Sequence, residues 1–172
     1  MDYKKHIREV PDFPKKGILF YDITTLLANP EAFNSIINEM AKRVKDLKIS
    51  KIAAIESRGF IFGAPLAQKL SLPFIPIRKP GKLPYKTKKH EYSLEYGTDS
   101  IEIHEDAVKK GDAVLLVDDL LATGGTIKAA TALVEECGAS VTGCLFAIEL
   151  DFLKGKQSLT QYHVDSIIHY WT

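Results

Sequence analysis

Residues Ala113 to Thr126 read Ala-Val-Leu-Leu-Val-Asp-Asp-Leu-Leu-Ala-Thr-Gly-Gly-Thr. The apolar run Val114 to Val117 shows no alternation and stops at turn-forming residues, which is the pattern of a strand buried on both faces. Two carboxylates, Asp118 and Asp119, sit where that strand ends. Next, Ala122 to Thr126 combines two glycines with two hydroxyls, just ahead of helical apolar spacing at Ile127, Ala130, Leu133, Val134 and Cys137. Strand, small-residue loop and helix in this order make an anion cradle.

Glycines let the backbone approach an oxygen-rich group, hydroxyls add donors, and the helix opens with unpaired N–H groups and partial positive charge. A phosphate fits. Asp118 and Asp119 would repel it, so they suit the hydroxyls of a sugar attached to the phosphate. An acidic pair alone is often only turn chemistry, and Gly-Gly alone is a common loop; it is their combination that is specific. The cradle lacks the Gly-x-x-x-x-Gly-Lys of nucleotide triphosphatases and the Gly-x-Gly-x-x-Gly of dinucleotide folds.

The chain outside this stretch sets the frame. Its 172 residues suit one domain. A net charge of +1 gives no global field for nucleic acid or membranes, so any electrostatic function is local. Cys137 and Cys144 match neither a disulfide framework nor a zinc knuckle, and no His/Cys ligand cluster stands out. No signal peptide or membrane-spanning run is evident, so a soluble, cytoplasmic protein is expected.

Asp2 to Val10 reads as a short amphipathic helix stopped at Pro11, and Ile18 to Ile23 as a short strand or irregular cover. Asn29-Pro30 opens a clear helix, with a capping residue, a proline at the first helical position and one apolar stripe from Phe33 to Leu47. Lys51 to Ile55 and Phe74 to Ile77 read as buried strands, with a helix from Phe60 to Leu70 between them. Arg78 to Thr98 shows little regular pattern and reads as a long lid or binding loop, with six basic residues and no acidic one in its front part. Ser100 to His104 alternates as a half-buried strand, Val141 to Ile148 reads as another, and the tail from Val164 suits an edge strand. Strands alternating with helices predict an α/β domain with a mostly parallel central sheet flanked by helices. Ligands bind such sheets at the carboxyl ends of the strands, which places Glu56-Ser-Arg-Gly59 on the same side as the acidic pair.

The stretch from Val114 to Thr126 resembles the phosphoribosyl diphosphate (PRPP) motif of type I phosphoribosyltransferases. Glu56-Ser-Arg-Gly-Phe60, Arg78-Lys-Pro-Gly-Lys-Leu-Pro84 and Tyr92-Ser-Leu-Glu-Tyr-Gly97 narrow the resemblance to that family's adenine branch, over nearly the whole chain. It implies a single domain with an N-terminal hood over residues 1–28 and a flexible catalytic loop over 78–98. The resemblance assigns the ribose hydroxyls to Asp118 and Asp119, and the 5-phosphate to Ala122, Thr123, Gly124, Gly125 and Thr126. Pyrophosphate falls to Ser57, Arg58, Arg78, Lys79, Lys82 and Tyr96, the arginine at 78 often acting across a dimer interface. Adenine falls to the Phe20 ring and the backbone near Leu19 and Tyr21. The resemblance makes Glu95 the expected proton acceptor.

The same resemblance implies magnesium carried mainly by PRPP or pyrophosphate, with no metal cage of protein side chains, and a homodimer. It leaves two rivals. One is a transferase for another base, to which the cradle is blind. The other is a PRPP-sensing nucleic-acid regulator, for which the chain has no added helix-turn-helix and no basic helix face.

Overall fold

The computed structural model describes residues 1–93 and 97–172. After a 3-10 turn at Tyr3–His6, strand β1 (Arg8–Pro11) pairs antiparallel with β2 (Leu19–Asp22) as a separate two-stranded ribbon. The helix expected from Asp2 to Val10 is therefore wrong. One turn is too short to sustain itself, and the cross-strand partners Phe20 and Tyr21 claim Val10 and Glu9 for a sheet.

A single turn, α1 (Thr24–Leu27), leads to α2 (Pro30–Arg43), where the Asn29 side chain accepts the Ala32 N–H at 3.0 Å. That cap is worth about 1 kcal/mol. Strand β3 (Lys51–Ile55), helix α3 (Arg58–Leu70) and strand β4 (Phe74–Ile77) follow. Strand β5 (Thr87–Ser93) pairs antiparallel with β6 (Thr98–His104), so the stretch expected to be irregular contains half of a hairpin. The remaining elements are β7 (Ala113–Leu121), α4 (Gly125–Glu136), β8 (Ser140–Leu150) and β9 (His163–Tyr170), with two 3-10 turns between β8 and β9.

The central sheet has the order β4-β3-β7-β8-β9, all parallel. Successive strand residues point to opposite faces, so each strand feeds two cores. Ile52, Ala54, Leu115 and Val117 pack under α2 and α3, whereas Ala53, Ile55, Val114 and Leu116 pack under α4 and the β5–β6 hairpin. All four residues Val114 to Val117 are fully buried, which explains the unbroken apolar run. Each such side chain contributes about 1.5–3 kcal/mol. Cys144 is buried and Cys137 half-buried, both as free thiols. The tail is an edge strand, with the exposed Trp171 ring stacked 5.4 Å from His169. Among the described residues no helix is long and apolar enough to cross a membrane.

Candidate active site

Register places the site. Ala54 of β3 lies opposite Val117 of β7, so the turn after β3 and the acidic pair emerge side by side at the carboxyl end of the sheet. Strand β7 runs on to Leu121, so Asp118 and Asp119 sit within the strand and not after it.

Two helices begin at this edge, and neither is capped by a side chain. Gly124 precedes α4 with φ +87° and no side-chain cap, and the first turn carries no acidic residue. Ser57 precedes α3, again with no side-chain cap and no acid in the first turn. Helix α2, whose first turn lines neither of the cavities at this edge, has both a cap and Glu31 there. Free N–H groups and the positive end of a helix dipole recur where an anion is wanted.

A cavity of about 100 Å³ is lined by Asp118 and by Leu120 to Ile127, which includes all of Ala122, Thr123, Gly124, Gly125 and Thr126. A second, of about 350 Å³, is lined by Ile55, Glu56, Ser57, Arg58, Lys79, Asp118, Asp119, Leu120 and Thr126. Asp118, Leu120 and Thr126 border both, so the two adjoin as one cleft with an uncapped helix N-terminus at each end.

The charges inside it are paired. The Arg58 Nε lies 2.9 Å from Asp119 Oδ2, and the Asp119 N–H donates to Asp118 Oδ1 at 2.9 Å. Burial, and then the neighbouring Asp119 carboxylate, push the Asp118 carboxyl well above the usual range. Burial raises Asp119 too, against the opposing pull of Arg58. Glu56 accepts from the Lys79 backbone N–H and from Arg78 Nη2, the latter at 3.1 Å. Burial raises the Glu56 carboxyl, and those two donors more than offset it, leaving it lowered. The Glu56–Ser57 peptide is cis.

Arg78 is thus bound to Glu56, with backbone hydrogen bonds to Glu102, and does not border either cavity. Lys82 is exposed and borders neither. Glu95 and Tyr96 lie outside the described residues. In the ribbon, Phe20 lines a third cavity of about 190 Å³ with Val10, Phe13 and Asp22, and the Arg58 guanidinium lies 5.4 Å from the Phe20 ring centre. The ribbon therefore abuts the main cleft. Tyr21 points the other way, as strand alternation requires, and its buried ring lies 3.9 Å from that of Tyr170. Its side chain is unavailable to a ligand in the Phe20 cavity, and Leu19 is exposed.

Several contributors escaped sequence reasoning. A Cβ on Gly59 would stand 2.8 Å from Asp118 Oδ1, so only glycine lets α3 start this close to the acidic pair. Gly155, in the turns after β8, packs so tightly on the Ala122 carbonyl that a Cβ there would overlap it, and Ser158 Oγ donates to the Gly155 carbonyl at 2.8 Å. This segment is the outer wall of the cradle. Lys-Gly-Lys gave no hint of that, since the contact is long-range. Gly155→Ala is expected to lower stability by about 1–3 kcal/mol, as overpacking against rigid backbone does. Urea unfolding measures that loss, and weaker binding of inorganic phosphate would show the cradle displaced.

The fold also joins Glu149, Asp151 and His169, whose ligating atoms lie within 4.8 Å of one another, at the ends of β8 and β9. Sequence showed no such cluster because its members are brought together by the Glu149–His169 register. They border neither cavity of the cleft.

The family profile for the phosphoribosyl transferase domain matches residues 22–169. The chain is 56% identical to the adenine phosphoribosyltransferase of Acetivibrio thermocellus, over 99% of this chain and 100% of that one. The crystal structure of the Thermoanaerobacter pseudethanolicus adenine phosphoribosyltransferase superposes with a TM-score of 0.96 at 54% identity, covering 98% of each chain. The Saccharomyces cerevisiae enzyme, complexed with an imino-altritol bisphosphate and adenine, gives 0.89 at 40% identity over 96% of each. Two uncapped helix N-termini, an acidic pair between them and this degree of likeness lead to one conclusion: the chain belongs to the adenine phosphoribosyltransferases of the phosphoribosyltransferase family.

Proposed function

We infer that this chain joins adenine to the ribose of PRPP, giving AMP and pyrophosphate, the reaction of purine salvage. The observation that carries the reading is the single cleft with an uncapped helix N-terminus at each end and the Asp118–Asp119 pair between them. PRPP has that layout: a 5-phosphate, a ribose and a pyrophosphate in series.

In this assignment Ala122 to Thr126 and the N-terminus of α4 hold the 5-phosphate. Asp118 and Asp119 accept the ribose hydroxyls; a carboxylate has about four acceptor sites, so Asp119 keeps capacity while bound to Arg58. Ser57, Arg58, Lys79 and the N-terminus of α3 receive pyrophosphate. The Phe20 cavity takes adenine, with the backbone at Leu19 and Tyr21 reading its edge. As the bond to pyrophosphate breaks ahead of the new one, positive charge develops on the ribose ring, and prepositioned carboxylates stabilise it. Glu95 accepts the imidazole proton that adenine loses. Arg78, Lys82 and Tyr96 complete the pyrophosphate set when 78–98 closes as a lid.

In a homodimer, Arg78 would have to leave the Glu56 carboxylate of its own protomer to reach the pyrophosphate in the cleft of a second copy. The carboxylate oxygens of Asp118 and Asp119 are hard donors that suit magnesium, directly or through water. Magnesium arriving with PRPP would neutralise the pyrophosphate as it leaves.

A panel of free bases with PRPP and magnesium, followed by pyrophosphate release, tests this function. Adenine alone should support rapid release, and magnesium chelation should stop it. Equal release with hypoxanthine or orotate would reassign the base, and none with any base would sink the reading.

A further inference from the structure

Lys79 borders the pyrophosphate pocket, and its ammonium is already engaged. Its Nζ makes a close ion pair with Asp99 Oδ2 and lies 3.4 Å from Tyr92 Oη. Tyr92 Oη in turn donates to the same Asp99 oxygen at 3.1 Å and lies 3.5 Å from Thr126 Oγ1 in the cradle. The hairpin explains the grouping. Tyr92 and Asp99 are direct cross-strand partners in β5 and β6, so their side chains leave the same face together. Asp99 lines neither cavity, yet its carboxylate occupies a cation that does, and so competes with any anion entering there.

We propose that Asp99 is a positioning residue that stands in for pyrophosphate: it holds the Lys79 ammonium at the rim of the pocket and gives it up when the diphosphate arrives. This rests on the assignment of that pocket to pyrophosphate. The hydrogen bond from Lys79 lowers the Asp99 carboxyl. Burial lowers Lys79, and its contacts with Asp99 and Tyr92 together more than offset it, leaving Lys79 raised. Both shifts describe a charged pair. Side-chain exposures of 40% and 30% keep the pair weak enough to be exchanged for a ligand of higher charge. Through Tyr92 and Thr126 the exchange is also felt at the cradle. The device limits how tightly the product pyrophosphate is held, and so favours its release.

The test is calorimetry of pyrophosphate and PRPP, with magnesium, on the whole chain. Asp99→Asn is expected to bind pyrophosphate about fivefold tighter, the scale of one partly exposed ion pair. In a Lys79→Met background the same change should alter affinity less than about twofold, since the two effects share one contact. In turnover, Asp99→Asn should lower both the KM for PRPP and kcat. Unchanged or weaker affinity, or equal tightening without Lys79, overturns the proposal. Should the asparagine variant melt early, Asp99→Ser carries the same comparison. A wild-type chain that binds no pyrophosphate would instead remove the assignment of the pocket, a result separate from any difference among variants.

Discussion

Asp119→Ala is expected to weaken PRPP binding on the order of a hundredfold while leaving inorganic pyrophosphate binding unchanged or slightly tighter. Two effects oppose each other. The ribose hydroxyls lose charge-assisted hydrogen bonds worth about 1.5–3 kcal/mol each in a site closed to water. Arg58 loses its partner at 2.9 Å and becomes free to serve pyrophosphate. That gain is small, because the arginine side chain is 38% exposed and water already satisfies much of it; it amounts to about 1 kcal/mol at most. For PRPP the loss therefore wins. For pyrophosphate, which has no ribose, only the gain remains. Calorimetry with both ligands separates the terms, and a parallel loss of both would mean that Asp119 merely holds the turn after β3 in place.

How much of this was legible in the sequence depends on where each signal resides. The cradle was legible because its chemistry is contiguous: a strand buried on both faces, then small residues, then an uncapped helix, all within Ala113 to Glu136. Helix α2 was legible for the same reason, with cap and stripe both local. Strand β5 was not. Its Thr-Lys-Lys-His-Glu-Tyr-Ser sequence has no apolar alternation, because the fully buried residues of the hairpin, Ile101 and Ile103, belong to its partner β6, and β5 adds only the partly buried Tyr92. Pairing with β6 makes β5 a strand, and pairing is invisible in composition. The N-terminal misreading has the same origin: Tyr3 and Ile7, four residues apart, both reach the core, yet from a turn and the bend just before a strand. At the site, Gly59, Asp99, Gly155 and Ser158 act across contacts between distant segments. Glu56 was quoted as part of a motif, but its hold on Arg78 and Lys79 needed the fold.

Glu95→Gln is expected to lower turnover by about 10²–10⁴-fold, the usual contribution of a positioned proton acceptor, with PRPP affinity changed less than about threefold. As the ring nitrogen of adenine bonds to the anomeric carbon, its proton must leave, or the product carries a positive purine beside a ribose that is already electron-poor. A carboxylate accepts that proton; the isosteric amide keeps size and hydrogen bonding and cannot. Tyr92 and Asp99, the described residues on either side of the segment bearing Glu95, contact Thr126 and Lys79 of the cleft. The pH profile provides the sharper readout. A carboxylate base must be ionised, so wild-type kcat should fall on the acid side, and the glutamine variant should lose that limb along with most of its rate. Full turnover in Glu95→Gln would remove it from the proton transfer. A low rate that keeps the acid limb would assign the titration to another group, with Asp118, already raised by burial and its neighbour, as the one to replace next.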